Sequence, residues 1–320
     1  MIRFLLRRLS LGVVVMFMVT IAIYGMFYLG APMDIARRLA GRNATPATVE
    51  QIYKNLGLNR PLWMQYRHFL WRLLHGDLGT DYYHQLPVTT VLKQDAPVTI
   101  SLAIGAAVIW FVLGVATGVY SSTHPRTFMD RAFTASALFF YSIPVFVLGV
   151  TLRYFFFYRL TLHKIKWFPA EGYVSITSSP FEWARHLILP WLTLALISAA
   201  AYTRLSRTSM LEVLSEDYIR TARSKGLSER RVVLRHALRS ALTPVVTQFG
   251  IDFASVLGGA ILTESVWGLP GLGRESVTAI TNQDLPVIIG IVIIAAAAII
   301  LANILVDMAY AVLDPRVRLH

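Results

Sequence analysis

The 320-residue chain has no cysteine and little charge. Without cysteine there is no disulfide framework, no thiolate metal site and no cysteine nucleophile. Charged residues make up 15% of the sequence, against about a quarter in soluble domains, too few to coat a water-soluble surface. The nucleotide-cradling pattern G-x-x-x-x-G-K-S/T is also missing. Histidines are few and scattered. No H-E-x-x-H pair is among them, and His68, His75, His84, His163 and His186 are expected to be interfacial rather than catalytic.

Apolar residues fill the space these absences leave. They make up 55% of the chain, and the mean hydropathy is +0.55. Six stretches approach or exceed the roughly 20 apolar residues that span a bilayer core as a helix. They are Leu9–Leu29, Ile100–Tyr120, Ala132–Leu152, Leu187–Thr203, Ala241–Leu262 and Val287–Leu313. The fourth is the shortest and begins beside Pro190. The first exceeds a signal-peptide apolar core, and Pro32 follows its only small-residue site, Gly30-Ala31, so it is expected to be retained as a span.

Lysine and arginine set the expected orientation. With a cytoplasmic N-terminus, the inside segments 1–8, 121–131, 204–239 and 314–320 hold 16 Lys/Arg in 62 residues. The outside segments 30–97, 159–185 and 264–286 hold 13 in 118 residues. The twofold difference in density follows the positive-inside rule. The formal net charge of +12 therefore belongs to topology and anionic headgroups, and no recognition motif accompanies it to indicate nucleic acid.

The outside segment 30–97 has helical punctuation. Thr45-Pro46 is a cap followed by proline at the first helical position. Val49, Ile52, Tyr53 and Leu56 follow at helical spacing, and Gly57 stops the run. A second run from Pro61 to Gly76 carries Trp63, Arg67, Trp71 and Arg72, which suit a helix at a membrane surface. The segment either covers the ends of the spans or forms a docking rim.

One polar stretch interrupts the apolar chain: SEDYIRTARSKGLSERRVVLRHALRSALTP, Ser215 to Pro244. Ser215 or Asp217 can cap a short helix from about Tyr218 to Lys225, ended by Gly226. Ser228 can cap the next, with Glu229 in its first turn. At 100° per residue Val233, Leu234, Ala237, Leu238 and Ala241 share one arc, with Arg231, Arg235 and Arg239 beside it and His236 further round. Val232 falls on the polar side. The pattern predicts a second helix against the membrane, leading into the fifth span, and a first helix projecting into the cytoplasm as a lever for another protein.

The stretch DYIRTARSKGLSERRVVLRHALRSALTPVV resembles the cytoplasmic loop of the inner-membrane subunits of ABC importers. The family's Glu-Ala-Ala, three residues, then Gly corresponds here to Arg220, Thr221 and Ala222, followed by Gly226. The departure at the first two positions resembles the B-type permease of dipeptide and oligopeptide importers. Where the family has Leu-Pro after the loop, this chain has Leu238-Arg239. NLGLNRPLWMQY, HGDLGTDY, SIPVFVLG, SRTSMLEVL, TESVWGLPGLG and ANILVDMAYAVLDPRVR agree in order along nearly the whole chain.

The resemblance implies an all-α polytopic membrane protein with six transmembrane helices and the type I ABC importer permease fold. It implies an extended extracytoplasmic loop after the first helix. The expected organisation is 1–29 as cytoplasmic N-terminus and first span, and 30–97 as the extracytoplasmic helical loop. The permease core follows at 98–313, with its coupling loop at 204–240, and a cytoplasmic C-terminus at 314–320. The implied setting is a bacterial inner membrane. Implied partners are a homologous second permease subunit, two cytoplasmic ATPases and an extracytoplasmic substrate-binding protein, within membrane lipid and without nucleic acid. This chain is expected to hold no cofactor and perform no catalysis, with ATP and Mg bound by the ATPases.

The ATPase-coupling residues implied are Tyr218, Arg220, Thr221, Ala222, Lys225, Gly226 and Leu227. Pathway candidates are Gln248, Asp252, Ser255 and Glu264. Of these, Gln248, Asp252 and Ser255 lie at i, i+4 and i+7, one polar stripe on an apolar span. A carboxylate at mid-span costs about 3 kcal/mol even on a lenient insertion scale, so Asp252 should face the pathway or a neighbouring helix. Gly268, Gly271 and Gly273 in WGLPGLG make a turn between spans. A secondary transporter would place more ionisable residues at the midplane; Asp252 is alone there, and Asp307 lies toward one end of the sixth span. Peptides are the expected cargo, with nickel, glutathione, sugars and haem-like molecules as alternatives.

Overall fold

A computed structural model of the chain describes residues 2–28, 33, 36–37, 40, 44–55, 57–165, 167–169, 171–258 and 260–313. Leu56, the Gly30-Ala31-Pro32 site and the C-terminal segment 314–320 lie outside the described residues. Among the described residues there is no strand, only an isolated antiparallel bridge between Thr80 and Pro87. Six helices are long and apolar enough to cross a membrane. Contacts divide the chain into two compact units, Met1–Ala96 with Glu275–Ala298, and Pro97–Arg274 with Ile299–His320.

The first unit begins with α1 (Ile2–Tyr28), followed by two short helices, α2 (Pro46–Asn55) and α3 (Leu62–Leu74). Their ends match the punctuation in the sequence. The N–H of Thr48 donates to Thr45 Oγ1 at 3.3 Å, and Gly57 and Gly76 take φ of +67° and +74°. These are left-handed stops that glycine adopts at least cost. Helix α3 packs on α1 through Phe69 and Leu73 beside buried Ile23. Tyr24 donates its hydroxyl proton to Gln65 at 3.0 Å. Trp63 and Trp71 are left outward, with the Arg67 guanidinium over the Trp63 ring at 5.7 Å. One face thus serves packing and the other is amphipathic.

The second unit is built on α4 (Val88–Thr123), from Pro97 onward, and on α7 (Pro180–Leu214). Gly114 and Gly118 on α4 form a G-x-x-x-G pair, the small-residue spacing that lets helix backbones approach. A Cβ on Gly114 would stand 2.3 Å from Tyr202 Cβ, and one on Gly118 would stand 2.6 Å from Ser206 Cβ. Leu102, Ala106, Trp110, Trp191 and Tyr202 are buried around this seam. Helix α7 extends well beyond the stretch expected from hydropathy on both sides. Its polar end stays helical because Ser206, Ser209 and Met210 are buried.

The third span differs from expectation. Ala132–Leu152 straddles a break, because α5 (Phe128–Ser142) ends and α6 (Val145–Leu162) begins across Pro144. Proline has no N–H for the helix ladder and restricts the residue before it, whereas hydropathy runs on unbroken. Helix α6 contains a π-helical segment, Arg153–Arg159. Arg153 donates there to the Val266 carbonyl and to Glu171. The fifth span, within α9 (Glu229–Leu257), stops before Leu262, and α10 (Ile261–Trp267) follows as a separate short helix. Helices α11 (Leu272–Asn282) and α12 (Leu285–Leu313) are the last described elements.

Candidate functional site

The polar stretch folds into α8 (Asp217–Ser224), set between α7 and α9. Its N-cap position is Glu216, without a side-chain cap bond. Ser215 does not cap it either, donating its hydroxyl back to the Glu212 carbonyl at 2.6 Å. Asp217 lies inside the first turn, where its charge suits the helix dipole. Ser228 occupies the N-cap position of α9 but makes no side-chain cap bond.

Rather than projecting freely, α8 is seated. Ile219 and Ala222 are buried with Met210 of α7 and Val232, Val233, Ala237 and Ala241 of α9. Across Gly226, Arg223 forks onto Glu229 at 2.7 and 3.1 Å, bracing α8 against α9. The start of α9 therefore packs against α8 and the end of α7.

The register along α9 also departs from the 100° pattern. Val232, assigned to the polar side, is fully buried, while Leu234, assigned to the apolar arc, is half exposed. A π-helical segment at Val232–Ala237 is the cause. Its wider turn rotates the faces that follow. The helix then runs without a break through Leu238-Arg239.

The seat leaves the other face of α8 open. Tyr218, Arg220, Thr221, Lys225 and Gly226 are exposed, whereas Ala222 turns into the seat and Leu227 is partly buried. Gly226 ends the helix with φ +76°, and a Cβ built on it would meet no atom within 4 Å. Its surroundings within the chain are empty space, so only backbone conformation constrains it from inside.

The polar stripe of α9 has a partner. Tyr202 on α7 donates its hydroxyl to Asp252 Oδ2 at 2.9 Å, and Gln248 Nε2 donates to Oδ1 at 2.9 Å. Both carboxylate oxygens are thus engaged, one across the helix pair and one along the helix. Gln248 and Ser255 are exposed and Asp252 is partly buried.

Glu264 sits apart from that stripe, on α10, with no exposed surface. Thr99 Oγ1 donates to it at 2.7 Å and the N–H of Arg274 donates at 2.8 Å. Thr99 in turn accepts the N–H of Leu272 at 2.9 Å. Burial pushes the Glu264 carboxyl above the usual carboxylate range, opposed by those hydrogen bonds. A Cβ on Gly271 would come within 2.6 Å of its carboxyl carbon. Gly271 and Gly273 of WGLPGLG thus wrap a buried acid, which fastens the turn, while Gly268 stands against Glu171.

Two further charged groups were not singled out from the sequence. Asp81 and Asp284 are both buried. Asp284 accepts the N–H of Tyr82 at 2.7 Å, while Asp81 accepts the N–H of Tyr83 at 2.6 Å and faces His84 Nδ1 at 2.6 Å. Burial, with the adjoining Asp81, pushes Asp284 up to about 6. Burial also raises Asp81, but its hydrogen bonds to Asp284 and His84 outweigh that and hold it below the usual range. The other group is Asp130, buried at the start of α5, where Arg207 of α7 forks onto it at 3.1 and 3.3 Å. Each acid has a partner far along the chain, and no local spacing announces it.

Comparison with known proteins agrees with this architecture. The family described as "Binding-protein-dependent transport system inner membrane component" matches residues 111–319. Its companion, "Binding-prot-dependent transport system membrane comp, N-term", matches residues 1–103. The chain is 41% identical to the "Probable peptide ABC transporter permease protein y4tP" of Sinorhizobium fredii, covering 98% of this chain and 99% of that protein. It is 36% identical to the "Dipeptide transport system permease protein DppB" of Escherichia coli K12, over 99% of each. An inward-facing structure of the MetNI methionine ABC transporter aligns with a TM-score of 0.55 at 18% identity, covering 70% of this chain and 96% of that one. With six membrane-spanning helices in a type I importer permease fold and family matches over most of its length, the chain belongs to the inner-membrane permease components of binding-protein-dependent ABC importers.

Proposed function

We propose that this chain forms half of a peptide-conducting pathway whose opening is driven by ATPases docked on α8. The observation that carries the proposal is the geometry of α8, with one face locked into its own core and the other exposed around Gly226. A helix held this way transmits force to α7 and α9 only if something outside the chain presses on it. Peptide cargo is supported by the names of the relatives, which include peptide and dipeptide permeases.

The chain has no phosphate-loop motif, so ATP and Mg are assigned to two partner ATPases. A homologous second permease completes the pathway, and an extracytoplasmic binding protein delivers cargo. Both termini and α8 face the cytoplasm, as the lysine and arginine distribution favours. Gln248, Asp252 and Ser255 line the pathway, with Asp252 held by Tyr202 so that its charge faces passing cargo.

The orientation is checked by single cysteines in this cysteine-free chain. Ser224→Cys, on exposed α8, should resist a membrane-impermeant maleimide in intact cells and react once the cells are opened. Labelling from outside intact cells would reverse the assigned orientation.

Gly226→Asp tests the coupling. A side chain at positive φ costs about 1 kcal/mol, and the added atoms meet nothing in the chain. The variant should therefore insert and fold yet lose uptake and cargo-stimulated ATP hydrolysis in proteoliposomes. Gly226→Asn, which tolerates positive φ without adding charge, should retain most of both. Normal uptake by the Asp variant would remove α8 as the coupling element.

Asp252 is separated into its two roles by paired variants. Tyr202→Phe removes the cross-helix donor and should lower thermal stability while transport persists. Asp252→Asn should assemble normally but change the relative uptake rates of peptides of different charge. Identical cargo preference in Asp252→Asn would exclude the residue from the pathway.

A further inference from the structure

Where α5 and α7 pack, toward the end of the bundle that carries α8, they enclose a groove of about 600 Å³. Its two halves differ in chemistry. The apolar part, its floor, is Ala135 and Leu138 from α5, both exposed, and Ala200 from α7, with Thr134, Thr203 and Thr208 also lining it. The rim carries four arginines, Arg126, Arg131, Arg204 and Arg207, and a single acid, Asp130.

Only one of the four is neutralised. Arg207 forks onto Asp130, whose Oδ2 also accepts the backbone N–H of Arg126 at 2.9 Å. Arg204 lies over the Tyr141 ring at 5.2 Å, a cation–π contact that uses none of its N–H donors. Arg126 and Arg131 are exposed, and among the described residues neither guanidinium is paired with an acid.

Arg126 is also held in an unfavourable backbone conformation. Its φ is +65°, the left-handed region that costs a non-glycine residue roughly 1–2 kcal/mol. The turn between α4 and α5 would take glycine there more cheaply. The bond from its N–H to Asp130 keeps the residue in place, at the rim of the groove. Strain of this kind concentrates where a side chain has work to do.

An occupant must match both halves: an anionic head with several oxygens for the rim, and hydrocarbon for the floor. A soluble anion satisfies only the first. We propose that the groove binds an anionic phospholipid, with Arg126, Arg131 and Arg204 on its phosphate oxygens and an acyl chain along Ala135, Leu138 and Ala200. Guanidiniums bind phosphate through forked, charge-assisted hydrogen bonds, and basic pockets between spans at the cytoplasmic face suit such headgroups. The site rests on the chain spanning a membrane and is independent of the cargo.

The assembled transporter, stripped of lipid in a neutral detergent, is titrated with phosphatidylglycerol or phosphatidylcholine, and bound lipid is counted by native mass spectrometry. The wild type should retain phosphatidylglycerol about tenfold more tightly, a difference of roughly 1.4 kcal/mol. Arg126→Gln/Arg131→Gln, which leaves the Arg207–Asp130 pair intact, should abolish that preference while the complex stays assembled. An unchanged preference in the double variant overturns the proposal.

Two controls separate the other occupants. Release of the lipid by millimolar inorganic phosphate would make this a site for a soluble anion and overturn the lipid assignment. Leu138→Cys should react with a membrane-soluble maleimide in the assembled complex. Reaction only in the dispersed chain would mean that a partner subunit fills the groove, and would likewise overturn it.

Discussion

The burial of Ile219 and Ala222 against Met210, Val232, Val233, Ala237 and Ala241 is the contact on which the functional account depends. An eight-residue helix is too short to persist alone in water, because its nucleation cost exceeds what so few hydrogen bonds return. Fully burying one isoleucine contributes about 2 kcal/mol, and here the burial joins three helices at one point. Remove that seat and α8 becomes a loop that any docked protein can push without moving a span. Keep it, and a push on Arg220 or Thr221 reaches α7 and α9 directly, because Ile219 cannot move without its neighbours. The Arg223–Glu229 fork adds little energy at an exposed surface but fixes the angle at which α8 meets α9.

Polar groups placed among apolar helices follow a common logic. In the second unit Asp252, Glu264 and Asp130 each find donors before they can face lipid. An unpaired acid in such a setting would be costly, whereas a paired one fixes helix register. Glu264 and Asp252 nevertheless differ in what they leave available. Glu264 is enclosed by its own turn and fastens WGLPGLG. Asp252 keeps a partly open carboxylate beside exposed Gln248 and Ser255. The first arrangement serves the scaffold, and only the second leaves a carboxylate partly open.

Much of this was legible in the sequence, for physical reasons. A bilayer demands long apolar helices, so six spans stand out from hydropathy alone. Glycine and proline punctuate α2 and α3 through backbone constraints that act locally, as at Gly57 and Gly76. The exposed face of α8 and its glycine stop are local as well. What stayed hidden involves register and distance. The break before Pro144 interrupts backbone hydrogen bonding but not hydropathy. The π-helical segment at Val232–Ala237 shifts a helix face in a way no 100° wheel represents, which is why Val232 and Leu234 exchanged places. The partners of Asp81, Asp130 and Asp252 lie tens to hundreds of residues away, so their pairing is a property of the fold. Val88, Leu92 and Gly290 meet in the same way: a Cβ on Gly290 would stand 2.7 Å from Val88.

Hydrogen–deuterium exchange across α8 in the permease pair, measured with and without the ATPases, tests the central claim most directly. The seat is internal to the chain, so the amides of Ile219–Ser224 should exchange slowly even when no ATPase is present, as slowly as those of α9 around Ala237. Exchange at the rate of an unstructured segment until the ATPases are added would mean that docking builds α8. The internal seat would then be contradicted.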